Sequence, residues 1–357
     1  DLVRSRGLGD VYKRQFSDTT TLDGSVVFSV GSTDTDDDFY TGAVKANYTY
    51  TWNLNSSFTG DDNLYVRIKT GNHTGSTVDS SYEGNTYLSA GNSKGDALTV
   101  DKLWYSFPVG ERNTITVGPK IENYYMHATT PSLYKPVLKA FTLGGNAAAY
   151  GASTSPGAGW KYVADNGFAV SSNFTTKDGN KSSGMLTDEG FTSWATQVGY
   201  TQPRYSVSAI VNMKYNGWPD GYFTSIDGIA RPNDGNSTNI GLRGWWRPAE
   251  TGNATPSISV GFDTSETDAS SNSNTNMYFV GLNWQDIFQA DDRIGLAFGQ
   301  PQKNESETTD PFAWEAYYSF QVNDSINVTP TLFGSSDRNG TASSDLTGAL
   351  LETTFKF

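Results

Sequence analysis

Basic and aromatic side chains recur at alternate positions in three short segments. These sets are Arg67 and Lys69; Lys102 and Trp104; and Arg243, Trp245 and Arg247. In an extended strand alternate side chains point to the same face, so the members of each set share a face. Arginine and lysine attract anions and donate hydrogen bonds, and an indole offers a flat surface against which a sugar ring can stack. The pairs Lys102 with Trp104 and Arg243 with Trp245 are therefore the first candidates for contacting a solute.

The residues needed for covalent catalysis are scarce. The two histidines, His73 and His127, lie in long segments without a recognisable catalytic motif. The chain has no cysteine, which excludes thiolate nucleophiles, thiolate metal sites and disulfides. The aspartate-rich runs 34–38 and 61–62 lack the spacing of a calcium loop, so solvated loop charge is the favoured interpretation and weak divalent-cation binding the alternative. We expect no enzymatic activity, no cofactor and no metal centre.

The elements that carry the basic and aromatic residues are predicted to be strands. In the segment 98–118, Leu103, Tyr105 and Phe107 alternate with other positions, a period of two that is typical of a strand with one apolar face. A tight corner at 108–111 leads into a second strand with the same alternation. The pattern recurs along the chain and predicts sixteen strands, joined by eight long gaps and seven short turns.

Periodicity alone permits a soluble β-sandwich, propeller or β-helix, and four further features favour a membrane barrel. Strands of about ten residues, tilted by about 45°, span the apolar band of an outer membrane. Short turns alternate with long gaps, many apolar faces end in aromatic residues, and the opposite faces are small or charged. We therefore predict an all-β fold, a transmembrane antiparallel up-and-down β-barrel of about sixteen strands in the outer membrane, with both chain ends on the short-turn, periplasmic rim.

The composition of the chain limits the kinds of partner that it can bind. The chain has 38 acidic and 25 basic side chains, a net charge of −13 and a pI near 4.6, which argues against nucleic acid. It has no run of about 18 apolar residues, so a transmembrane helix is excluded. In a barrel, alternation assigns one set of side chains to the lumen: Arg67, Lys69, Lys102, Trp104, Arg243, Trp245 and Arg247. Each of these charges has an alternative interpretation, in which it only keeps the wall hydrated.

The longest interval without alternation, 119–155, is predicted to fold into the lumen and narrow it. It is rich in apolar and aromatic residues, which could pack against the barrel wall, and it holds three lysines against one acid. The predicted constriction residues are Lys120, Glu122, Tyr124, Lys135 and Lys139. The alternative is a surface loop that its lysines keep soluble. Lumen bases predict anion selectivity, whereas acidic loops such as 34–38 predict cation selectivity, and the sequence does not decide between them.

Two stretches and the chain end resemble a known family. The stretches QFSDTTTLDGSVVF (15–28) and DKLWYSFPVGERNTITVG (101–118) resemble strands of cyanobacterial-type outer-membrane porins in the carbohydrate-selective (OprB-like) or iron-uptake porin family. The terminal pair Phe355 and Phe357 resembles the signal read by the outer-membrane assembly machinery. The resemblance covers roughly residues 16–357. It implies passive diffusion of small hydrophilic solutes such as carbohydrates and inorganic ions, a homotrimer, and cell-wall anchoring through an upstream domain.

The first fifteen residues are predicted to stand outside the barrel. DLVRSRGLGDVYKRQ has neither the apolar core of a signal peptide nor strand alternation, and its end looks like a translated sequencing adapter. An assembly artefact is the favoured interpretation and a native linker the alternative, with the porin barrel over 16–357. Two other functions stay open at this point: a soluble carbohydrate-binding β-protein, and a structural envelope barrel with a closed lumen.

Overall fold

The chain folds into one closed antiparallel barrel of sixteen strands, and this confirms the predicted fold class. The computed structural model describes residues 18–35, 42–73, 87–92, 94–145, 147–151, 154–218, 235–268, 274–305, 307–337 and 345–357. The predicted artefact 1–15 and most of the acidic run 34–38 lie outside these residues. Each strand pairs with its neighbours in sequence, and β1 closes the barrel by pairing with β16, with Val26 opposite Phe355.

The strands are mostly nine to twelve residues long. They are β1 (Thr20–Thr35), β2 (Lys45–Ser56), β3 (Asn63–Gly71), β4 (Thr99–Val109), β5 (Asn113–Ile121), β6 (Ser155–Val163), β7 (Phe168–Lys177), β8 (Phe191–Gln202), β9 (Tyr205–Lys214), β10 (Ser237–Trp246), β11 (Ser257–Thr267), β12 (Asn274–Gln285), β13 (Arg293–Asn304), β14 (Phe312–Asn323), β15 (Ile326–Ser336) and β16 (Leu346–Lys356). Within the described residues no helix is long and apolar enough to span a bilayer.

The two faces of the wall differ as the alternation predicts. On β9, Val207 and Val211 are exposed on the outer face, whereas Ser208 and Asn212 are buried on the inner face. A soluble barrel would bury its apolar face inside, so the arrangement is that of a membrane barrel. The outer face presents apolar side chains to lipid, and the inner face presents polar ones.

Short turns lie on one rim and longer connections on the other. On the short rim, β4 and β5 are joined by 110–112, β8 and β9 by 203–204, and β14 and β15 by 324–325. On the opposite rim, 122–154 joins β5 and β6. The difference in length between the two kinds of connection is smaller late in the chain. There the sequence predicts a gap at 263–274, but β11 continues to Thr267, so the connection is shorter than predicted. Asp263 and Ser265 are buried on the inner face there, so the strand end lacks an apolar signature.

The connection 122–154, called the inner loop below, lies inside the barrel. It contains two 3₁₀ segments, Asn123–Met126 and Lys139–Gly144. Inward-facing glycines of the wall make room for it, because a Cβ on Gly159, Gly199 or Gly281 would press against Met126, Thr129 or Tyr134 respectively. These wall positions lie on β6, β8 and β12 in turn. The first part of the loop therefore runs along the wall from β6 to β12.

The second part of the inner loop returns along the same wall. A Cβ on Gly261 of β11 would collide with the carbonyl of Gly144, and a Cβ on Gly241 of β10 would approach Ala149. The loop is thus a folded layer against the inner faces of β6 to β12, and its middle part also contacts Glu315 and Tyr317 of β14. Its first residues cover Tyr65 of β3 and Trp104 of β4, which pack with Tyr125.

Candidate channel constriction

A single carboxylate on the wall holds the middle of the inner loop. Glu315 of β14 is fully buried and accepts hydrogen bonds from the Val137 and Leu138 amides (3.1 and 2.6 Å) and from the Tyr134 hydroxyl (2.9 Å). Tyr134, Val137 and Leu138 belong to one buried apolar cluster, which also includes Phe141. Two backbone amides and one hydroxyl thus donate to a single buried carboxyl group, so Glu315 fixes the position of this segment.

Arg243 holds the returning part of the loop. Its guanidinium forms a bidentate ion pair with Asp263, at 2.5 and 3.1 Å, and donates to the Leu143 and Gly145 carbonyls at 2.8 Å each. The ring of Tyr150 lies beneath the guanidinium carbon, at 4.5 Å. The side chain of Arg243 is 1% exposed. Arg243 faces the interior as alternation predicts, but the inner loop covers it, so it does not present a free charge to the channel.

Trp245 has a similar position. Its indole is buried and donates a hydrogen bond to the Thr130 carbonyl (3.0 Å). The predicted pairing of Arg243 with Trp245 as a solute platform is therefore wrong. Sequence alternation assigns a face of the wall but does not show that a loop forty or more residues away covers that face.

Gln197 of β8 supports the start of the loop. Its side-chain oxygen accepts hydrogen bonds from the Ala128 and Thr129 amides (3.1 and 3.0 Å), and its nitrogen donates to the Tyr150 hydroxyl (3.0 Å). One amide thus connects both limbs of the inner loop to the wall. Nearby, burial lowers the pKa of His127 to about 3, so this histidine is neutral at physiological pH.

An aromatic cluster lies where the inner loop leaves β5. Trp104 of β4 stacks on Tyr65 of β3 (4.4 Å between ring centroids) and on Tyr125 (4.8 Å), and Tyr124 stacks on Tyr125 (4.7 Å). Trp104 and Tyr65 are buried, whereas Tyr124 and Tyr125 are partly exposed. The exposed aromatic surface of this cluster is therefore provided by the two loop tyrosines, with the predicted Trp104 behind them.

Lys102 is paired within the same region. Its ammonium forms a salt bridge with Glu122 and lies 3.9 Å from Asp101, and it lies 5.2 Å from the centre of the Tyr125 ring. Tyr124 donates a hydrogen bond to the same Glu122 carboxylate (2.6 Å). The charge of Lys102 is therefore largely balanced by neighbouring carboxylates.

Asp101 reaches this region because of a bulge in β4. Arg67 pairs with Lys102 and Ile68 with Val100, so Asp101 is the extra residue between two pairs. A bulge re-aims the side chain of the extra residue. Simple alternation would place Asp101 outside, and for this reason sequence reasoning missed it.

Three further cations share the region. Arg67 donates to the Asn53 side chain (3.1 Å) and stands over the Tyr65 and Tyr125 rings. Lys69 and Lys139 lie within electrostatic reach of one another and of Asp101, and neither forms a salt bridge in the described part of the chain. With Lys102, four cations face the two carboxylates Asp101 and Glu122, a formal excess of two positive charges.

Loop groups in this region have shifted pKa values. Burial lowers the pKa of the Lys139 ammonium, an effect that Asp101 opposes and Arg67 reinforces. Burial raises the pKa of the Tyr124 hydroxyl well above its ordinary value. Tyr124 therefore stays protonated and keeps donating to Glu122 across the physiological range.

Two predicted site residues, Lys120 and Arg247, lie outside the lumen. Lys120 belongs to β5, because pairing continues to Ile121; it is exposed on the outer face, and its ammonium donates to the Val100 carbonyl (2.7 Å). Arg247 follows the end of β10 and is exposed on the short-turn rim, where it donates to the Pro203 carbonyl (2.7 Å). The predictions of a constriction role for Lys120 and a lumen position for Arg247 are therefore wrong.

Lys135 is separated from the other loop cations. It lies in the inner loop with an exposed side chain, and its backbone bonds to Asn283 and Tyr317 hold it near the β12 and β14 wall. Burial and then repulsion by Arg293 lower the pKa of its ammonium. The structure thus brings Lys139 but not Lys135 to the group around Arg67.

The two terminal aromatics lie at the seam that closes the barrel. Phe355 packs edge-on against Phe28 of β1 (5.3 Å), and Phe357 lies 6.0 Å from Tyr50 of β2. The backbone of Phe357 exchanges two hydrogen bonds with Gly24. Both residues therefore help to join the last strand to the first, and their reading by an assembly machinery stays a prediction.

The wall residues that sequence reasoning missed are mainly loop anchors. Glu315, Asp263 and Gln197 are buried polar residues at inward positions of strands whose remaining inward residues are mostly small. A single carboxylate in such a row was an available signal, since a buried charge needs a partner. The identity of that partner depends on the path of the inner loop, which alternation does not reveal.

Comparison with known proteins gives a family and a set of related folds. A family model described as the carbohydrate-selective porin, OprB family, matches residues 10–334. A search of curated proteins gives no match. The high-pH structure of Pseudomonas putida OprB has a TM-score of 0.68 at 13% identity, over 98% of this chain and 96% of that chain.

Two further solved structures show the same architecture. A mutant of Rh. blastica porin has a TM-score of 0.58 at 10% identity, over 95% of this chain and all of that chain. Vibrio cholerae OmpT lacking its loop L8 has a TM-score of 0.57 at 10% identity, with the same coverage. At these identities the solved structures establish the fold, and the family model carries the relationship.

Proposed function

Because the chain belongs to the OprB family of carbohydrate-selective porins, and is thus a passive outer-membrane channel for small solutes, we propose that it passes small carbohydrates and inorganic ions through a constriction beside β3 and β4. The observation that carries this proposal is the convergence, at one point of the lumen, of partly exposed tyrosines and of lysines that form no salt bridge within the described residues. Tyr124 and Tyr125 meet Arg67, Lys69 and Lys139 there.

The tyrosines and cations of this region suit a sugar. A pyranose ring has apolar C–H faces and equatorial hydroxyls, so it can stack on a phenol ring while its hydroxyls accept hydrogen bonds from guanidinium and ammonium groups. Arg67 lies 6.0 Å from the Tyr125 ring centre, close enough for one solute to touch both. Weak contacts of this kind orient a solute without trapping it, which is what a passive channel requires.

The same cluster favours anions among small ions. Four cations and two carboxylates leave an excess of positive charge at the narrow part of the lumen, where the low-dielectric wall strengthens electrostatic interactions. We therefore propose that the lumen bases, and not the acidic loops, set the ion selectivity. The acidic run 34–38, most of which lies outside the described residues, is exposed to screening by salt over about 8 Å if it lies in solvent, as its charge predicts.

A homotrimer, a role in iron uptake and anchoring to the cell wall remain proposals based on the resemblance. Trimerisation is the most accessible of these to test. Chemical cross-linking of the detergent-purified protein, followed by electrophoresis with and without heating, is expected to give a three-protomer band, and a single-protomer band under all conditions would contradict it.

Block of the channel current by sugars tests the carbohydrate proposal. Glucose and maltose are added to single channels in a planar bilayer, and the concentration that halves the current is compared between the wild type and Tyr125→Ala. We expect a several-fold rise in that concentration for Tyr125→Ala. The matched control is Tyr278→Ala on the lipid-facing wall, which should leave it unchanged.

The outcomes separate the alternatives. An open channel that no sugar blocks would reject the carbohydrate proposal while leaving an ion-conducting porin. Insertion without any current would support the structural barrel with a closed lumen. Equal block in the wild type and Tyr125→Ala would reject the tyrosine pair as the site of contact.

A further inference from the structure

Two turns on the short-turn rim share a sequence pattern. The turn 57–62 reads SFTGDD and the turn 287–292 reads IFQADD, so each has a phenylalanine followed three and four residues later by two aspartates. The strand after next contains the triplet Tyr-Ser-Phe in both cases, at 105–107 in β4 and at 318–320 in β14. We call the two segments the FxxDD turns.

The FxxDD turns stand in the same register to these triplets. The residue after the second aspartate pairs with the serine of the triplet, Asn63 with Ser106 and Arg293 with Ser319. The next pair in each case joins an aliphatic residue to the tyrosine, Leu64 to Tyr105 and Ile294 to Tyr318. The two segments are therefore equivalent in structure as well as in sequence.

In the first FxxDD turn the second aspartate organises the backbone. Asp62 accepts hydrogen bonds from the Phe58 and Thr59 amides (2.9 and 2.8 Å) and from the Ser57 hydroxyl (2.8 Å). Its other oxygen accepts from the Tyr105 hydroxyl (2.7 Å). Burial acts to raise the pKa of Asp62, but these hydrogen bonds outweigh it and hold the pKa below its usual range.

The second FxxDD turn repeats the arrangement. Asp292 accepts from the Ile287, Phe288 and Gln289 amides at 2.9, 3.0 and 3.2 Å, and from the Tyr318 hydroxyl at 3.1 Å. Its pKa is likewise lowered, since hydrogen bonds to the carboxylate outweigh burial. Each turn is thus tied to a wall tyrosine by an ionised carboxylate at physiological pH.

Each FxxDD turn holds a phenylalanine against the outside of the barrel. Phe58 is 64% exposed and lies 6.5 Å from the Tyr105 ring, and Phe288 is 74% exposed and lies 5.6 Å from the Tyr318 ring. The two tyrosines lie on the lipid-facing side, because they alternate with inward-facing Trp104 and Tyr317. The phenylalanines therefore extend the lipid-facing wall at its periplasmic edge.

An exposed phenylalanine held by such a network needs an apolar environment. In a membrane-spanning barrel, the edge of the lipid-facing wall adjoins the boundary between lipid headgroups and acyl chains, where aromatic rings with a polar neighbour are favoured. A tyrosine hydroxyl turned toward the carboxylate and an apolar ring turned toward the membrane match that boundary.

We propose that the two FxxDD turns are membrane anchors that insert Phe58 and Phe288 into the headgroup region of the periplasmic leaflet. They follow β2 and β12, which lie ten strands apart in one direction around the barrel and six in the other. Two rigid anchors on well-separated sides fix both the depth and the tilt of the barrel. They act together with the apolar band of the wall and the aromatic residues at its edges.

Site-directed spin labelling tests the position of the two rings. The chain has no cysteine, so Phe58→Cys and Phe288→Cys each carry a single nitroxide. The matched controls are Asp61→Cys and Ala290→Cys, exposed positions of the same turns. In phosphatidylcholine and phosphatidylglycerol vesicles, the label at 58 and 288 should be accessible to oxygen and several-fold less accessible than the controls to a water-soluble nickel complex.

Two results would overturn the proposal. Equal nickel accessibility at the phenylalanine and control positions would place the rings in water. Shielding of positions 58 and 288 from both oxygen and nickel would show that protein covers them, as a second copy or a periplasmic partner would. Retained heat-modifiable migration on detergent gels shows that each variant is folded.

A second measurement tests the tyrosine–aspartate tie. Tyr105→Phe and Tyr318→Phe remove the donated hydrogen bond and keep the ring. The nitroxide of the corresponding turn should become more mobile, while the other turn, whose tie is intact, should not change. Unchanged mobility in both turns would contradict the role of the tie in holding the anchor.

Discussion

The charge that a solute meets in this channel depends on how single side chains are partnered. Lys102 lies on the inner wall, but Glu122 and Asp101 balance it. Lys69 and Lys139 have no salt bridge within the described residues, so they carry the excess positive charge. Two lysines on the same face of the wall thus differ in function, because Lys102 forms a salt bridge with a residue of the inner loop and Lys69 does not within the described residues.

Lys139→Glu is expected to shift ion selectivity toward cations. The substitution changes the local charge by two units and removes the excess of two that the cluster carries. The zero-current potential in a salt gradient should move toward the cation value. Lys120→Glu is the matched control, since Lys120 lies on the outer face. Equal shifts in both variants would show that the overall charge, and not the cluster, sets selectivity.

Glu315→Gln is expected to loosen the inner loop. Glutamine keeps the volume but turns an amide donor toward the Leu138 or Val137 amide, so a buried group loses its partner at a cost of about 1–3 kcal/mol. The barrel should unfold at a lower temperature on heat-modifiability gels, and open-channel current should become noisier. Glu111→Gln is the control, because it makes the same substitution at an exposed position of the short turn between β4 and β5. A variant indistinguishable from this control would contradict the anchoring role.

The sequence predicts which face of the wall several site residues occupy, but not which groups cover them or pair with them. Alternation assigns a face to Arg67, Lys69 and Lys102, because a strand has a strict period of two. It fails at Asp101, where a bulge interrupts the period, and at Arg243 and Trp245, which the inner loop covers. Strand alternation specifies the face of the wall to which a side chain points. The groups that pair with or cover that side chain depend on contacts between residues far apart in the chain.

At the scale of elements, the inner loop and the wall fit each other through small residues. Glycines at inward positions of β6, β8 and β12 give room to side chains of the loop, and Gly261 of β11 gives room to its backbone at Gly144. The sequence shows that inward positions are small or charged, which predicts space inside the barrel. It does not show that a loop packs against the wall from β6 to β12 and at β14, because the same small residues would also line a wide aqueous lumen.

Gly261→Ala is expected to displace the returning limb of the loop. A Cβ at this position would collide with the carbonyl of Gly144, and overpacking of this kind costs about 1–3 kcal/mol. The unfolding temperature on heat-modifiability gels should fall. Gly244→Ala on the outer face of β10, where a Cβ meets only ordinary contacts, should leave it unchanged. Equal stability of the two variants would contradict close packing of the loop at β11.

At the scale of the whole molecule, the barrel could be predicted almost completely. Sixteen alternating segments, joined alternately by short and long connections, have one simple closed arrangement, and the structure has that arrangement with β1 paired to β16. The errors are at strand ends such as Thr267, where the wall leaves the apolar layer and alternation loses its contrast. The periodicity of the strands determines the barrel, whereas the path of the inner loop determines which part of the lumen is filled.

Single-channel conductance of the detergent-purified protein in a planar bilayer tests the central claim most directly. The claim is that the inner loop covers the wall from β6 to β12 and at β14, and that solutes pass beside the tyrosines and cations around Arg67 of β3. The account predicts stable open steps with anion preference, which added sugars reduce. Stable insertion of the folded barrel without any conductance would contradict it.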